Sequence, residues 1–240
     1  MATFLSVFKK DIRSEIRTRY SISAILLFIL TSCSIIGFGI AGSRLDSNIS
    51  SALLWVIMFF TSMIGLSKSF VTEEERGTFM LLKLYSSSSA VYFGKLLFNI
   101  VLCVIINFFE SILFLFLINQ NEIQSLSIFW LSVILGSVAI GSASTIISAI
   151  ISKANVKNAI FPVLSFPIML PIIITGLDAT RLSYSTNEIS EAISLFVQIL
   201  LFTIAIISIS YVLFCFVWNE WDNKCFIYFA KLLRKKYKYK

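Results

Sequence analysis

The sequence predicts an all-α, polytopic membrane protein with six transmembrane helices, and three observations carry that prediction. Hydrophobic residues make up 58% of the 240-residue chain and charged residues only 14%, against roughly 45–50% and 25% in soluble domains. The apolar excess is gathered into runs of about 20 residues, the length a helix needs to cross ~30 Å of hydrocarbon. Those runs are continuously apolar, and do not alternate as the strands of a membrane barrel would.

The chain opens with FLSVFKKDIRSEIRTRY, in which Phe4, Phe8, Ile12 and Ile16 recur every four residues with charges between them. That spacing predicts an amphipathic helix lying in the membrane interface; a merely solvated basic leader is the alternative. It does not read as a cleavable signal, because roughly 20 mostly amphipathic residues precede the first apolar run. The spans follow at about 21–41, 51–71, 95–118, 125–151, 159–177 and 192–218, all within one membrane domain over 1–218. Residues 219–240 read as a basic cytoplasmic tail, with Phe226, Phe229 and Leu233 giving a second, weaker amphipathic pattern.

Lys and Arg set the orientation. The N-terminal segment, the loops after the second and fourth spans and the tail hold 18 of them; the opposite side holds only Arg44 and Arg181. The cytoplasmic excess of positive charge then places both termini in the cytoplasm, or in an equivalent matrix compartment. The same topology accounts for the net charge of +7, so no nucleic-acid partner is implied.

The densest charge cluster, VTEEERGTFMLLKLYSSSS, falls in the loop after the second span. Thr72 and Glu75 fit a capping box, and Glu73 and Glu74 suit a first helical turn. A short cytoplasmic coupling helix between spans 2 and 3 is expected there. Phe79, Met80, Leu81, Leu82 and Leu84 are too apolar for water and must pack on the membrane face or on a partner; Ser86–Ser89 reads as a cap or turn. The cluster Glu73, Glu74, Glu75, Arg76, Gly77 and Thr78 suits docking to another protein. A solvated loop kept out of the bilayer by its glutamates is the alternative.

Inside the spans, Asn99, Cys103, Asn107 and Glu110 share one face of the third helix. Glu110 lies 15 residues from Lys95, about 22 Å along a helix, in the outer half of the bilayer. Such a face either lines a wet path or makes interhelical hydrogen bonds. The fourth span carries Ser137, Gly141, Ser144, Ser148 and Ser152, a small-residue stripe that lets backbones approach closely. The only three prolines, Pro162, Pro167 and Pro171, lie in the fifth span. They predict a kinked helix, either beside a substrate path or for packing alone.

Several chemistries are disfavoured. There is no histidine, which removes the commonest general base and the commonest metal or haem ligand. The cysteines Cys33, Cys103, Cys215 and Cys225 show no paired spacing, and a lone cysteine such as Cys103 is ordinarily a small apolar filler. No metal site and no catalytic residue is expected. With one glutamate in the spans, an intramembrane enzyme lacks convergent groups. No G-x-x-x-x-G-K-[ST] phosphate loop occurs in the sequence, so ATP hydrolysis would fall to a partner.

The segment EEERGTFMLLKLYSSSSAVYFGK resembles the cytoplasmic coupling segment of ABC exporter permeases. Taken in order, DIRSEIRTRYSISAILLF, LLWVIMFFTSMIGLSKSFVTEEERGTF, LYSSSSAVYFGKLLFN and FPVLSFPIMLPIIITG resemble the CcmB family, haem exporter permeases of cytochrome c maturation, over roughly residues 8–218. Two features depart from the family: Ser86–Ser89 stands where it usually has a proline-containing turn, and the tail is longer. The resemblance implies a six-span permease subunit of an ATP-binding-cassette complex, acting in haem export or in release of a haem chaperone. It implies a CcmA-type ATP-binding subunit docked at the acidic loop, a CcmC-type haem-handling membrane protein and the haem chaperone as partners. Haem is then a transported or handled ligand with no tight binding here, and a homodimer is left open. A non-transporting scaffold for cytochrome maturation proteins, or a permease of another ABC exporter, are the alternatives. Heavy use of Phe, Ile, Lys and Ser points to an AT-rich genome, hence a bacterial inner membrane or, alternatively, the mitochondrial inner membrane.

Overall fold

The computed structural model describes residues 4–18, 20–40, 45–66, 70–71, 73, 77–78, 82, 84–117, 123–152, 157–185 and 189–237; at 18, 20–21, 157–159, 217 and 219–237 it describes the backbone alone. Seven long helices hold most of these residues, and no strand occurs among them. They are α1 (Phe4–Thr18), α2 (Tyr20–Ile40), α3 (Ser47–Leu66), α4 (Ser88–Leu117), α5 (Leu126–Ile151), α6 (Lys157–Ser185) and α7 (Ile189–Tyr237). Six are long and apolar enough to span a bilayer: Ile22–Ile40, Ser47–Leu66, Ser88–Leu117, Leu126–Ile151, Ile160–Ser185 and Ile189–Phe216. The all-helical, six-span prediction therefore holds.

Some helix ends differ from the hydropathy reading for one reason: a charge ends an apolar window without ending a helix. α4 begins at Ser88, so Lys95 lies two turns inside it. Ser87 caps this start, its Oγ accepting the Ala90 N–H at 3.3 Å. α6 continues past Leu177 through Asp178 and Arg181 to Ser185. α7 passes Trp218 and runs helically into the basic segment.

The bundle is built around α5, which packs on α3, α4, α6 and α7 and is the most buried of the six spans. Lipid tails give apolar helices no hydrophobic reason to associate, so close packing must do it. At Gly141 a methyl group would lie 2.9 Å from Ile100 Cα and 3.1 Å from the Asn99 carbonyl oxygen, so α4 and α5 meet backbone to backbone. The hydroxyls of α5 fold onto their own helix. Ser132, Ser137, Ser144 and Thr145 donate to the carbonyls of Ile128, Val133, Ile140 and Gly141 at 2.6–2.9 Å. Small polar residues thus serve as small residues, each donor satisfied without water.

Trp55 of α3 is the wedge on the other flank. Its indole is fully buried and passes between Gly136 of α5 and Gly176 of α6, where an added Cβ would stand 2.1 Å from ring carbon Cη2 in both cases. Its Nε1–H donates to Thr180 Oγ1 at 2.9 Å, and that hydroxyl donates to the Gly176 carbonyl at 2.9 Å. At the end of the bundle away from α1, the Ser125 N–H donates to the Ser183 carbonyl at 3.0 Å, tying the start of α5 to the end of α6.

The Trp55 slot makes a direct prediction. Gly176→Ala overfills it and lowers stability by about 1–3 kcal/mol. Trp55→Phe alone leaves a void and takes away the donor that the Thr180 hydroxyl accepts, while the double substitution is less destabilised than the sum of the two. Thermal unfolding of the detergent-solubilised variants measures both, and strict additivity contradicts the slot.

Candidate functional site

Where α1 crosses α4, the chain gathers charge from three segments distant in sequence. Gly94 permits the crossing, since a Cβ there would lie 2.8 Å from Val7 Cβ and 2.9 Å from the Phe4 carbonyl oxygen. The face of α1 that turns inward carries Val7 and Asp11, both buried. The predicted apolar stripe lies to its side: Phe8 and Ile12 are half-buried, while Phe4 and Ile16 stay exposed, Ile16 at 62%. The helix is amphipathic as expected, but an acidic residue sits on its docking face.

That residue meets Lys95. Lys95 Nζ is 3.1 Å from Asp11 Oδ2, and Lys10 Nζ is 3.2 Å from Asp11 Oδ1. Lys10 also pairs with Glu73 Oε1, which stands 4.0 Å from Lys95 Nζ. The four groups form a closed ring of alternating sign with no net charge. The Lys95 side chain is 1% exposed, and its ammonium also sits 4.9 Å from the ring centroid of buried Phe70, a contact that stabilises a desolvated cation. This corrects the reading of Lys95 as a boundary lysine facing water. A lysine two turns inside a span is stable because its counter-charges are brought to it.

The ring is braced on both sides. Glu73 Oε2 accepts the Thr78 hydroxyl at 2.6 Å, and the Thr78 N–H returns to the Glu73 carbonyl at 3.1 Å. Gly77, between them, has φ 65°. A six-to-one bond closed by a left-handed glycine is a helix-stop motif, and it folds the Glu73 carboxylate back onto its own segment. Leu82 packs on the main core and Ser86 is buried, whereas Leu84 is exposed at 76%. The amides of Leu82 and Ser86 donate to the carbonyls of Thr78 and Leu82 at 3.1 and 3.0 Å. Opposite, Phe70 and Tyr92 pack on Phe214 of α7 with centroids 5.6 and 5.5 Å apart, and the Tyr92 hydroxyl donates to the Ile207 carbonyl at 3.2 Å. Glu74, Glu75 and Arg76 lie outside the described residues, as does the Thr72–Glu75 capping box.

Burial opposes ionisation of Glu73, but Lys95, the hydrogen bonds from Lys10 and Thr78, and the Lys10 charge outweigh it and hold its carboxyl below the usual range. Burial likewise opposes the charge on Lys10, yet Asp11 and Glu73 hold its ammonium above the usual range. Glu73 therefore contributes stability that is complete above its unfolded pKa and lost as pH falls through its lowered folded value. Lys10 contributes stability that is complete below its unfolded pKa and lost as pH rises through its raised folded value.

The predicted polar face of α4 is buried throughout. Asn99 Nδ2 donates to Thr145 Oγ1 at 3.0 Å, and Asn107 Nδ2 to Ser137 Oγ at 3.0 Å. Asn107 Oδ1 accepts from Ser62 of α3 at 3.4 Å, and Ser62 Oγ lies 3.5 Å from Cys103 Sγ. Glu110 is completely buried with no hydrogen-bond partner on either oxygen. The three prolines lie within a helix that runs unbroken from Lys157 to Ser185; Pro167 is exposed, and Pro162 and Pro171 are half-buried. Cys33, Cys103 and Cys215 are free thiols, and no group of three or more potential metal ligands occurs among the described residues. Sequence reasoning missed Asp11 and Lys10. The available signal was an acidic residue on the inner face of an amphipathic helix, with a lysine inside an apolar run to answer it.

Six apolar spans, with a charge-ringed junction at one end, define a polytopic integral membrane protein. The chain belongs to the CcmB family: the family model described as CcmB protein matches residues 2–213. It is thus a membrane component of the haem export system of cytochrome c maturation. Among curated proteins, none matches it.

Lys95→Met removes the cation and leaves Asp11 and Glu73 facing each other in a buried site, which costs about 3–5 kcal/mol. Adding Asp11→Leu to Lys95→Met removes the stranded carboxylate, leaves the Lys10–Glu73 pair, and recovers part of that loss in thermal unfolding of the purified protein. Hydrogen exchange of the α1 amides adds the pH test: protection is greatest near neutrality and falls toward both acid and alkaline extremes. Protection that changes in one direction only contradicts the ring.

Proposed function

We propose that this chain is the membrane permease subunit of an ATP-binding-cassette complex that exports haem, or releases a haem chaperone, in c-type cytochrome biogenesis. An ATP-binding subunit of the CcmA type docks on the acidic segment made by Glu73, Glu74, Glu75, Arg76, Gly77 and Thr78. The observation that carries this reading is the ion ring: Glu73 in that segment is tied to α1 through Lys10 and to α4 through Lys95. A push on the segment is therefore a push on two helices of the bundle. The lack of a phosphate-loop motif in the sequence fits a subunit moved by another protein's ATP hydrolysis. The charge asymmetry supports a bacterial inner membrane location with both termini, the junction and the tail in the cytoplasm. A CcmC-type haem-handling protein and the haem chaperone complete the assembly.

Because Glu73 is held inside the ring, docking is tested at Glu74, Glu75 and Arg76. Affinity purification of the tagged chain from membranes recovers an ATPase with a phosphate-loop motif. Replacing Glu74 and Glu75 by Ala lowers that recovery several-fold with the stability of the chain unchanged. Deletion of the chain abolishes c-type cytochromes while other haem proteins persist. Unchanged ATPase recovery refutes the docking segment, and unaffected c-type cytochromes refute the pathway.

A further inference from the structure

Glu110 has no role in the ion ring or in the α4–α5 hydrogen bonds. It is 0% exposed, and both carboxyl oxygens lack a partner. Cys33 of α2 and Cys103 of α4 are brought near it, and the Thr61 hydroxyl of α3 faces it without closing a hydrogen bond of normal geometry. Among the described residues, Cys33 and Cys103 are the titratable groups brought to it. The described parts of α3 and α5 contain no titratable side chain at all. The cations of α1, Lys95 and the contacts of α7 with α4 lie at the other end of α4. Among the described residues, no lysine or arginine answers this carboxyl.

The unpartnered polar groups around it are not scattered. Nine buried side-chain atoms lack hydrogen-bond partners among the described residues, and six belong to Ser50, Ser51, Thr61, Glu110 and Ser111 of the α3–α4 pair. The Ser62–Asn107 contact fixes the register of that pair. Glu110 and Ser111 follow Asn107 by about one helical turn, and Ser50 and Ser51 lie about 17–18 Å along α3 from Ser62. The unpartnered groups therefore run from mid-bundle to the end opposite α1. Unpaired hydroxyls strung out from a buried carboxyl that no described cation answers are the donor and acceptor set of a site for a proton.

We propose that Glu110 is a proton-binding site between α2, α3 and α4, which exchanges its proton with the end of the bundle opposite α1 past Thr61, Ser111, Ser50 and Ser51. Uptake turns the carboxylate into the acid, and release returns a proton to water at that end.

Infrared difference spectroscopy of the full chain in lipid vesicles tests this. At neutral pH the wild-type protein shows a protonated-carboxyl C=O stretch that shifts on H/D exchange and on carbon-13 labelling of glutamate. The band is absent in Glu110→Gln and returns, displaced, in Glu110→Asp. The labelling arm needs only wild-type protein, so it stands even where a variant fails to fold. Ser51→Val, which blocks the route without touching the carboxyl, slows the H/D shift of the band several-fold. A wild-type protein with no such band, or a band that survives Glu110→Gln, overturns the proposal. So does a band that emerges only when sodium and potassium are withdrawn, which would assign the site to an alkali cation.

Discussion

The structure depends on how near helix backbones come to α5. Apolar spans in lipid gain nothing by hiding apolar surface from one another, so association rests on contact area at short range, and that requires side chains small enough to let backbones touch. α5 supplies them. Gly141 admits the α4 backbone, and Gly136 joins Gly176 of α6 in admitting the Trp55 ring. The cost of so many hydroxyls in an apolar setting is removed locally, because each donates to a carbonyl one turn back on its own helix. The central helix is thus both the smallest in cross-section and internally satisfied. Four neighbours can pack on it without any one of them supplying a polar partner to every serine.

Onto this rigid centre the charged junction is added from one side. α1 is the element least determined by the bilayer, with its apolar stripe turned partly outward and its inner face carrying Asp11. Three things hold it: the Gly94 crossing, the Asp11–Lys95 pair and, through Lys10, the Glu73 carboxylate. A buried ion pair gives modest net stability, because desolvation offsets attraction, but losing one member is severe. Such a contact specifies geometry more than it adds strength. The ring allows one placement of α1 and one of Glu73, and it fixes them against the same lysine.

Much of this was legible in the sequence, for physical reasons. A span needs about 20 apolar residues whatever surrounds it, so six helices could be counted from composition alone. The glycine and serine stripe on α5 and the polar face of α4 follow from helical spacing, and the structure places both on buried faces. What escaped was long-range. Lys95 looked like a boundary charge because a lysine beside a span ordinarily reaches water, and its partner Asp11 is 84 positions away. Nothing in the sequence marks Trp55, since its slot is made by single glycines on two other helices. The end of α6 escaped because Asp178 and Arg181 stop an apolar window while the helix continues through them.

α4 unites these features. It begins at the ring, with Gly94 on α1 and Lys95 among the carboxylates. It then touches the α5 backbone at Asn99 and Ile100, and reaches Glu110 a further 15 residues beyond Lys95. A helix transmits displacement along its axis because its backbone hydrogen bonds are short and directional. Its sideways contacts here are of two kinds. The backbone approach at Gly141 resists separation but tolerates sliding, whereas the hydrogen bonds of Asn99 and Asn107 to Thr145 and Ser137 hold one register. A load at Glu73 or Lys95 therefore meets its resistance at those two amides. Glu110 follows Asn107 by three residues on the same helix, so its place is set by the same register.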